Sequence, residues 1–313
     1  VHTIRRGFVS PITPEMKANL RAIKRRGDAL GRATGILGQW GDSITLSNAY
    51  LGELCSWGLI SSQPADGHDY LPTLLWMGAS PNSADNPLHD FKGGSYCNDS
   101  GWRVPHALSV VDDAIARANP SWSLTMYGTN DIRQSGWSPA TYEAQLERLI
   151  QINIDAGIVP VLSTIPPCTG YDARVAEANT VVHAVATRMR IPLVDLHGVF
   201  MALHPDDWAT VLLGDGVHPS HLGAAGQLAE TAHNAAGLFY QRDSGYNLRS
   251  MLTVDMAEKL RAIVFDNAAP DGTNLPLLVV NSPTHPYKTL TSSLSANFTI
   301  VHNSGPAPTA YSW

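Results

Sequence analysis

Cysteine is scarce in this chain. There are three in 313 residues, Cys55, Cys97 and Cys168, and none lies in a Cys-x-x-Cys pair. That spacing excludes a disulfide framework and provides no zinc or dithiol redox motif. One disulfide with one free thiol remains compatible with the count. Charged residues are few as well, 15% against 44% hydrophobic, the reverse of the balance that keeps a chain disordered. No basic excess exists: the net charge is −6 and the pI about 6.0. A general nucleic-acid binder needs positive charge to displace counterions from phosphates, so that class is excluded. No apolar run approaches the roughly 20 residues that span a bilayer. No signal-peptide core follows Val1, so the compartment stays undetermined, with a secreted or periplasmic setting favoured over the cytoplasm.

What positive charge there is gathers at one end. Residues 1–32 hold Arg5, Arg6, Lys17, Arg21, Lys24, Arg25, Arg26 and Arg32 against Glu15 and Asp28. This cluster reads as a solvated helix face, with a docking surface for an acidic partner as the other reading.

Thr13-Pro14-Glu15 has a capping residue and proline in the first turn, and predicts a helix carrying Leu20, Ile23 and Leu30 and stopping at Gly31. Gly35–Trp40 reads as a short buried strand that runs into Gly41-Asp42-Ser43, followed by a helix over 46–57. Residues 58–100 are broken by Gly, Pro, Asp and Asn around one apolar island, Leu71–Met77. Val104, Leu108, Val111 and Ile115 then form one helical stripe. Strands are expected at Ser123–Tyr127, Ile158–Ser163 and Ile191–Asp195, with helices at about 139–156 and 172–190 between them. A last helix runs from Ser220 to about Tyr240, and another from Met251 to Phe265. Short strands near Leu277–Val280 and Phe298–Val301 complete the tail. Strands alternating with helices of this length imply parallel pairing and right-handed crossovers. The expected fold is a three-layer α/β/α sandwich with a central, mostly parallel sheet. It divides into an N-terminal helical segment (1–32), a catalytic unit (33–240) and a C-terminal extension packed on the core (241–313).

Three motifs fall just past strand ends, where α/β sheets place functional groups. Gly41-Asp42-Ser43-Ile44-Thr45 puts a serine between strand and helix, where its N–H can face an anion. Gly128-Thr129-Asn130-Asp131 offers a side-chain amide that can donate to an oxyanion. Gly214-Asp215-Gly216-Val217-His218-Pro219 sets a carboxylate three residues before a histidine, close enough to fix the imidazole tautomer. Each motif alone also occurs in ordinary turns and caps. Their order along the chain resembles the SGNH (GDSL-type) hydrolase family, over roughly residues 33–240.

That resemblance implies the flavodoxin-like fold of the family and a serine esterase needing no metal or organic cofactor. Ser43 is the implied nucleophile, His218 the base and Asp215 the orienting carboxylate. The implied oxyanion hole comprises the Ser43 and Gly101 N–H groups and the Asn130 amide. Gly101 belongs to Asn98-Asp99-Ser100-Gly101-Trp102, with Gly93 and Gly94 as alternative positions for the family's glycine. Ser163-Thr164-Ile165-Pro166-Pro167 looks like the family's loop opposite the active site. The substrate expected from the resemblance is a short-acyl, acetyl-type ester, small or carried on carbohydrate. Trp102, Arg133 and Trp137 are candidates to line the substrate cleft, and core packing is the alternative for both tryptophans.

Other classes are distinguishable. An α/β-hydrolase would carry Gly-x-Ser-x-Gly at mid-chain with its acid well upstream of the histidine; here Thr45 replaces the second glycine, and acid and base are adjacent. A metal hydrolase would draw on Asp215, His218 and His221 without any HExxH support. A non-catalytic carbohydrate-binding module of the same fold, or an acyltransferase with the same triad, are the remaining alternatives. His68, His89, His106, His183, His197 and His204 are dispersed and read as structural or surface residues. Oligomeric state is left open.

Overall fold

The computed structural model describes residues 5–55, 68–80, 86–221, 243–271, 277–279 and 299–301. Its principal strands are β1 (Ala33–Gly41), β2 (Pro120–Met126), β3 (Val159–Ser163) and β4 (Leu193–Val194). Its principal helices are α1 (Pro14–Ala29), α2 (Ser43–Leu46), α3 (Val104–Ala118), α4 (Pro139–Asp155), α5 (Asp172–Met189) and α6 (Gly245–Lys259).

The four strands pair in parallel in the order β1-β2-β3-β4. β2 and β3 are buried along their whole length, as a parallel sheet covered on both faces requires. Topology then decides which helix goes where. Three right-handed crossovers that all step the same way along the sheet put their helices on one face. Those helices are α3, α4 and α5, and they pack side by side in that order. Left to these elements the opposite face would be bare. It is covered from the two ends of the chain: α1 packs on β3, and α6 packs on β4. Arg21 Nη1 donates to the Val264 carbonyl at 2.8 Å and Asp271 accepts the Ile12 N–H at 2.8 Å, tying the two end segments together. The helix Leu71–Trp76 packs on β1 and on α6 and adds to this layer.

Local signals explain the helix starts. Thr13 caps α1 by accepting from the Met16 N–H, and Ser138 caps α4 by accepting from Thr141. α1 buries Met16, Leu20, Ile23 and Gly27, but Leu30 lies past its end and is 55% exposed. On α3 the buried stripe is Val104, Ala107, Val111, Ala114, Ile115 and Ala118, leaving Leu108 half-buried. Fully burying a valine- or isoleucine-sized side chain on such a stripe contributes about 1.5–3 kcal/mol.

Several expectations change. The helix expected over 46–57 is instead a single turn, Ser43–Leu46, and later a 3₁₀ turn at Gly52–Cys55. Asp42 accepts the Ile44 N–H and starts the helix three residues early; Ser47, with ψ 133°, stops it at once. The strand Ile191–Asp195 shrinks to two residues, because Asp195 leaves the sheet to cap the helix Leu196–Leu203 through the Gly198 N–H. The final described helix starts at Gly245, capped by Ser244, six residues before the expected Met251, and passes into a π turn at Leu260–Phe265. The helix expected over 220–240 lies outside the described residues from 222 onward. In the tail, Leu277–Val279 (β5) pairs antiparallel with Thr299–Val301 (β6).

The basic cluster near the N-terminus is a solvated face only in part: Arg6, Arg25 and Arg26 are exposed, while other cations reach into the packing. Arg5 is fully buried and pairs with Asp255 on α6, and Arg6 pairs with Glu258. Lys17 donates to the Ala268 carbonyl at 2.6 Å, Arg26 to Ile154 at 3.0 Å and Arg32 to Ala156 at 2.9 Å. These five cations satisfy carbonyls and carboxylates of neighbouring elements, so that part of the charge belongs to the packing. Cys97 and Cys168 are free and buried, which leaves the chain without an internal disulfide. Among the described residues, no helix is long and apolar enough to cross a membrane.

Candidate active site

β1 ends at Gly41, where a Cβ would run into Thr45 Oγ1 and the Met126 carbonyl, so the turn there tolerates only glycine. Asp42 follows as the cap of α2, which makes Ser43 the first helical residue. Its N–H is one of the donors a helix start leaves without an intrahelical partner. The loop 213–219 approaches from the far end of the family-like region. It is closed by the Leu213–Pro219 bridge and by the Gly214 N–H on the His218 carbonyl at 2.8 Å. Gly216, at φ 82°, lets the loop turn against Thr169, whose N–H donates to the Gly216 carbonyl at 2.9 Å. Ser220, just beyond, accepts the Gly245 N–H at 3.0 Å on its hydroxyl and so fastens this loop to the start of α6.

These two segments meet. Ser43 Oγ lies 2.8 Å from His218 Nε2, and His218 Nδ1 lies 2.7 Å from Asp215 Oδ2. The other carboxylate oxygen of Asp215 accepts the backbone N–H of Val217 at 3.0 Å and of His218 at 2.8 Å. Partial burial works against its ionisation, but those N–H groups and the imidazole outweigh it and hold Asp215 down at about 2. The carboxylate is therefore ionised across the whole neutral range. Both ring nitrogens of His218 are engaged, by Ser43 and Asp215, which disfavours the alternative of a metal on Asp215, His218 and His221. His221 instead sets its ring 4.8 Å from that of Tyr246, and burial followed by the His218 charge lowers its pKa.

Asn130 and Gly101 approach through a second pair of contacts. The Asn130 amide donates to the Trp102 carbonyl at 3.1 Å, and Asp131 accepts the Val104 N–H at 3.2 Å. Together they staple the β2 end to the loop that carries Gly101. Gly101 is exposed at φ 74°, and a Cβ there would meet open space. Among the described residues, the Ser43 and Gly101 N–H groups donate to no protein acceptor. The alternatives are otherwise engaged: Gly93 N–H donates to Asn98 Oδ1 at 2.9 Å, and Gly94 sits against the Trp102 ring. The loop is preceded by a 3₁₀ turn at Gly94–Tyr96 and joined to β1 by one parallel bridge, Gly41 to Asn98.

The cleft candidates separate. Trp102 is half-buried beside Gly101, stacked on His106 with centroids 5.9 Å apart. Arg133 is exposed and stands over the Tyr171 ring at 5.9 Å. Trp137 packs on Tyr142 and donates to Glu177 Oε2 at 2.7 Å, a packing role. Three residues that sequence reasoning did not single out as functional, Tyr50, Lys92 and Arg249, surround α2.

Residues 40–225 match the GDSL-like Lipase/Acylhydrolase family. The chain belongs to that family. Among solved structures, this GDSL-like hydrolase is similar to the lipase/acylhydrolase from Enterococcus faecalis, at 19% identity. That match covers 74% of this chain and 95% of the other, with a TM-score of 0.45. A GDSL-like lipase from Bacteroides thetaiotaomicron matches at 14% identity over 78% of this chain and 98% of its own, TM-score 0.45. An acetyl xylan esterase from Geobacillus stearothermophilus matches at 23% identity over 47% and 69% respectively, TM-score 0.35. No curated protein matches.

Beneath the GDSL turn lie two buried acids. Burial pushes Asp42 up to about 6, against the Ile44 N–H and the charges of Arg249 and His218, and its Oδ2 has no partner. Burial raises Asp131 to about 6 as well, with Asp42 adding to the effect. Both values lie above the ordinary carboxylate value, so between about pH 4 and 6 the folded protein holds protons that the unfolded chain has released. These groups therefore make the protein less stable as pH rises through that window, with no further change above it. Asp42→Asn keeps a capping oxygen but removes the charge. Its Tm is expected to exceed that of the wild type at pH 7.5, by the equivalent of up to about 3 kcal/mol, and to converge with it near pH 4. Thermal melts across that range check this, and parallel curves for the two proteins would contradict it.

Proposed function

We propose that this GDSL-like hydrolase is a serine esterase acting through an acyl-enzyme on Ser43. The observation that carries the reading is the continuous hydrogen-bond chain Ser43–His218–Asp215. In the first half-reaction the Ser43 oxygen attacks the ester carbonyl carbon while His218 Nε2 takes the hydroxyl proton. The Ser43 and Gly101 N–H groups and the Asn130 amide face the oxyanion. The carbon–oxygen bond to the alcohol then breaks, and His218 returns the proton to the leaving oxygen. Water enters, gives its proton to His218, and releases the acid by the same route in reverse. Asp215 stays ionised throughout and stabilises the imidazolium formed in each half.

The finer reading, a preference for short acyl groups with acetylated carbohydrate as substrate, follows from the family resemblance. Nitrophenyl esters of graded chain length, run beside acetylated xylan, test it: the acetyl ester is expected to give the highest kcat/KM. The nucleophile is tested separately by treating the protein with a fluorophosphonate and mapping the label by mass spectrometry. A label on Ser43 is expected; turnover with the label on any other serine would refute the assignment.

A further inference from the structure

Arg249 lies outside the residues that match the family, on α6, and is fully buried. Its guanidinium stacks on Tyr50, 3.6 Å from the ring centroid. Nη1 donates to the Ile44 carbonyl at 2.7 Å, and Nη2 to Thr45 Oγ1 at 2.7 Å. Lys92 comes to the same tyrosine, its ammonium 4.9 Å from the centroid. It donates to the Thr45 carbonyl at 2.7 Å, the Tyr50 carbonyl at 3.2 Å and Gln39 Oε1 at 2.7 Å. The Tyr50 hydroxyl in turn bonds Thr253 Oγ1 on α6 at 3.1 Å.

A helix of four residues cannot sustain itself, because almost every carbonyl it has lacks an intrahelical donor. Here two cations from elsewhere in the fold serve those carbonyls. They also stand at the end of α2 where positive charge complements the peptide dipoles. The Ser43 N–H points from the opposite end of the same turn. A buried guanidinium is costly to fold, the more so because its Nε has no partner. An apolar side chain of similar volume would fill the space at lower cost, but it would bring neither donors nor charge to the turn.

We propose that Arg249 and Lys92, gripping Ile44 and Thr45 on either side of Tyr50, are positioning residues. They hold the Ser43 N–H and hydroxyl in the geometry that attack and oxyanion stabilisation require. This rests on the esterase reading above. Because the oxyanion exists only as the reaction proceeds, loosening the turn lowers kcat and leaves substrate binding nearly unchanged.

The experiment measures kcat and KM on nitrophenyl acetate, together with the rate at which a fluorophosphonate labels Ser43. It compares the full chain with Lys92→Met, Thr45→Val and Arg249→Lys, using near-UV circular dichroism and Tm to establish that each is folded. Lys92→Met and Thr45→Val are expected to lose about tenfold in kcat and Arg249→Lys about 10²-fold, with KM within about threefold. Labelling slows in parallel. Folded variants with wild-type kcat, or a loss carried by KM alone, overturn the proposal. Lys92 is half-buried and Thr45→Val keeps its shape, so both report on the turn even where Arg249→Lys does not fold. A wild-type chain that neither turns over esters nor takes the label overturns the esterase reading itself, a result separate from any comparison of variants.

Discussion

His218→Ala is expected to lower kcat on a nitrophenyl ester by about 10⁴- to 10⁶-fold while the protein stays folded. The magnitude follows from the loss of the base that lies 2.8 Å from Ser43 Oγ. Without it, a hydroxyl proton must leave to water while the oxygen attacks. The activity that survives reflects the oxyanion donors and substrate binding alone. Stability does not confuse the result. The side chains of His218 and Asp215 are 39% and 58% exposed, and a hydrogen bond that open to water contributes about 1 kcal/mol. Equal melting curves with a collapse in turnover are the expected pair of measurements. A folded His218→Ala protein with more than about a tenth of wild-type kcat would end the proposed mechanism.

The second large effect is Asp215→Asn, expected to cost about 10³- to 10⁴-fold in kcat. The loop geometry makes this substitution unusually informative. Asp215 Oδ1 accepts two backbone N–H groups, from Val217 and His218, while Oδ2 faces the imidazole. An asparagine must keep its oxygen toward the two N–H groups, since its amide nitrogen there would set donor against donor. The NH₂ is then turned toward His218 Nδ1, which has to become an acceptor. The ring proton moves to Nε2, pointing at Ser43, and the imidazole can no longer take the serine proton. The same argument predicts that Asp215→Ala retains more activity than Asp215→Asn, because it leaves the tautomer free. Steady-state kinetics on the three proteins decide the order, and an asparagine variant more active than the alanine variant would refute the tautomer account.

Much of the candidate site could be read from short stretches of sequence. Gly-Asp-Ser at 41–43, Asn130 and the Asp215–His218 pair each carry their meaning within a few residues, and so do the caps and apolar stripes of α1, α3, α4 and α5. The expectations missed for two kinds of reason, a competing local cap and a partner far along the chain. The helix expected over 46–57 shrank to the single turn of α2 because Asp42 caps it early and Ser47 ends it. β4 shrank because Asp195 was drawn off to cap the next helix. Arg5, Arg6 and Arg21 looked like surface charges because their partners, Asp255, Glu258 and the Val264 carbonyl, are far along the chain. Arg249 carried no signal at all, since nothing in its neighbours reveals that it is buried against Tyr50.

The sequence by itself determined which chemistry this chain carries: a serine hydroxyl, an imidazole, a carboxylate and an amide, each set just past the end of a strand or in a glycine-bounded loop. Only the tertiary structure decided that they form one site. Ser43 and His218 are 175 positions apart, and no local preference acts over that distance. They meet because parallel strands in consecutive order bring their carboxyl ends to one edge of the sheet. The helix α6 from the C-terminal side then ties to that edge: its start bonds Ser220 next to the histidine loop, and its Arg249 donates to the serine turn.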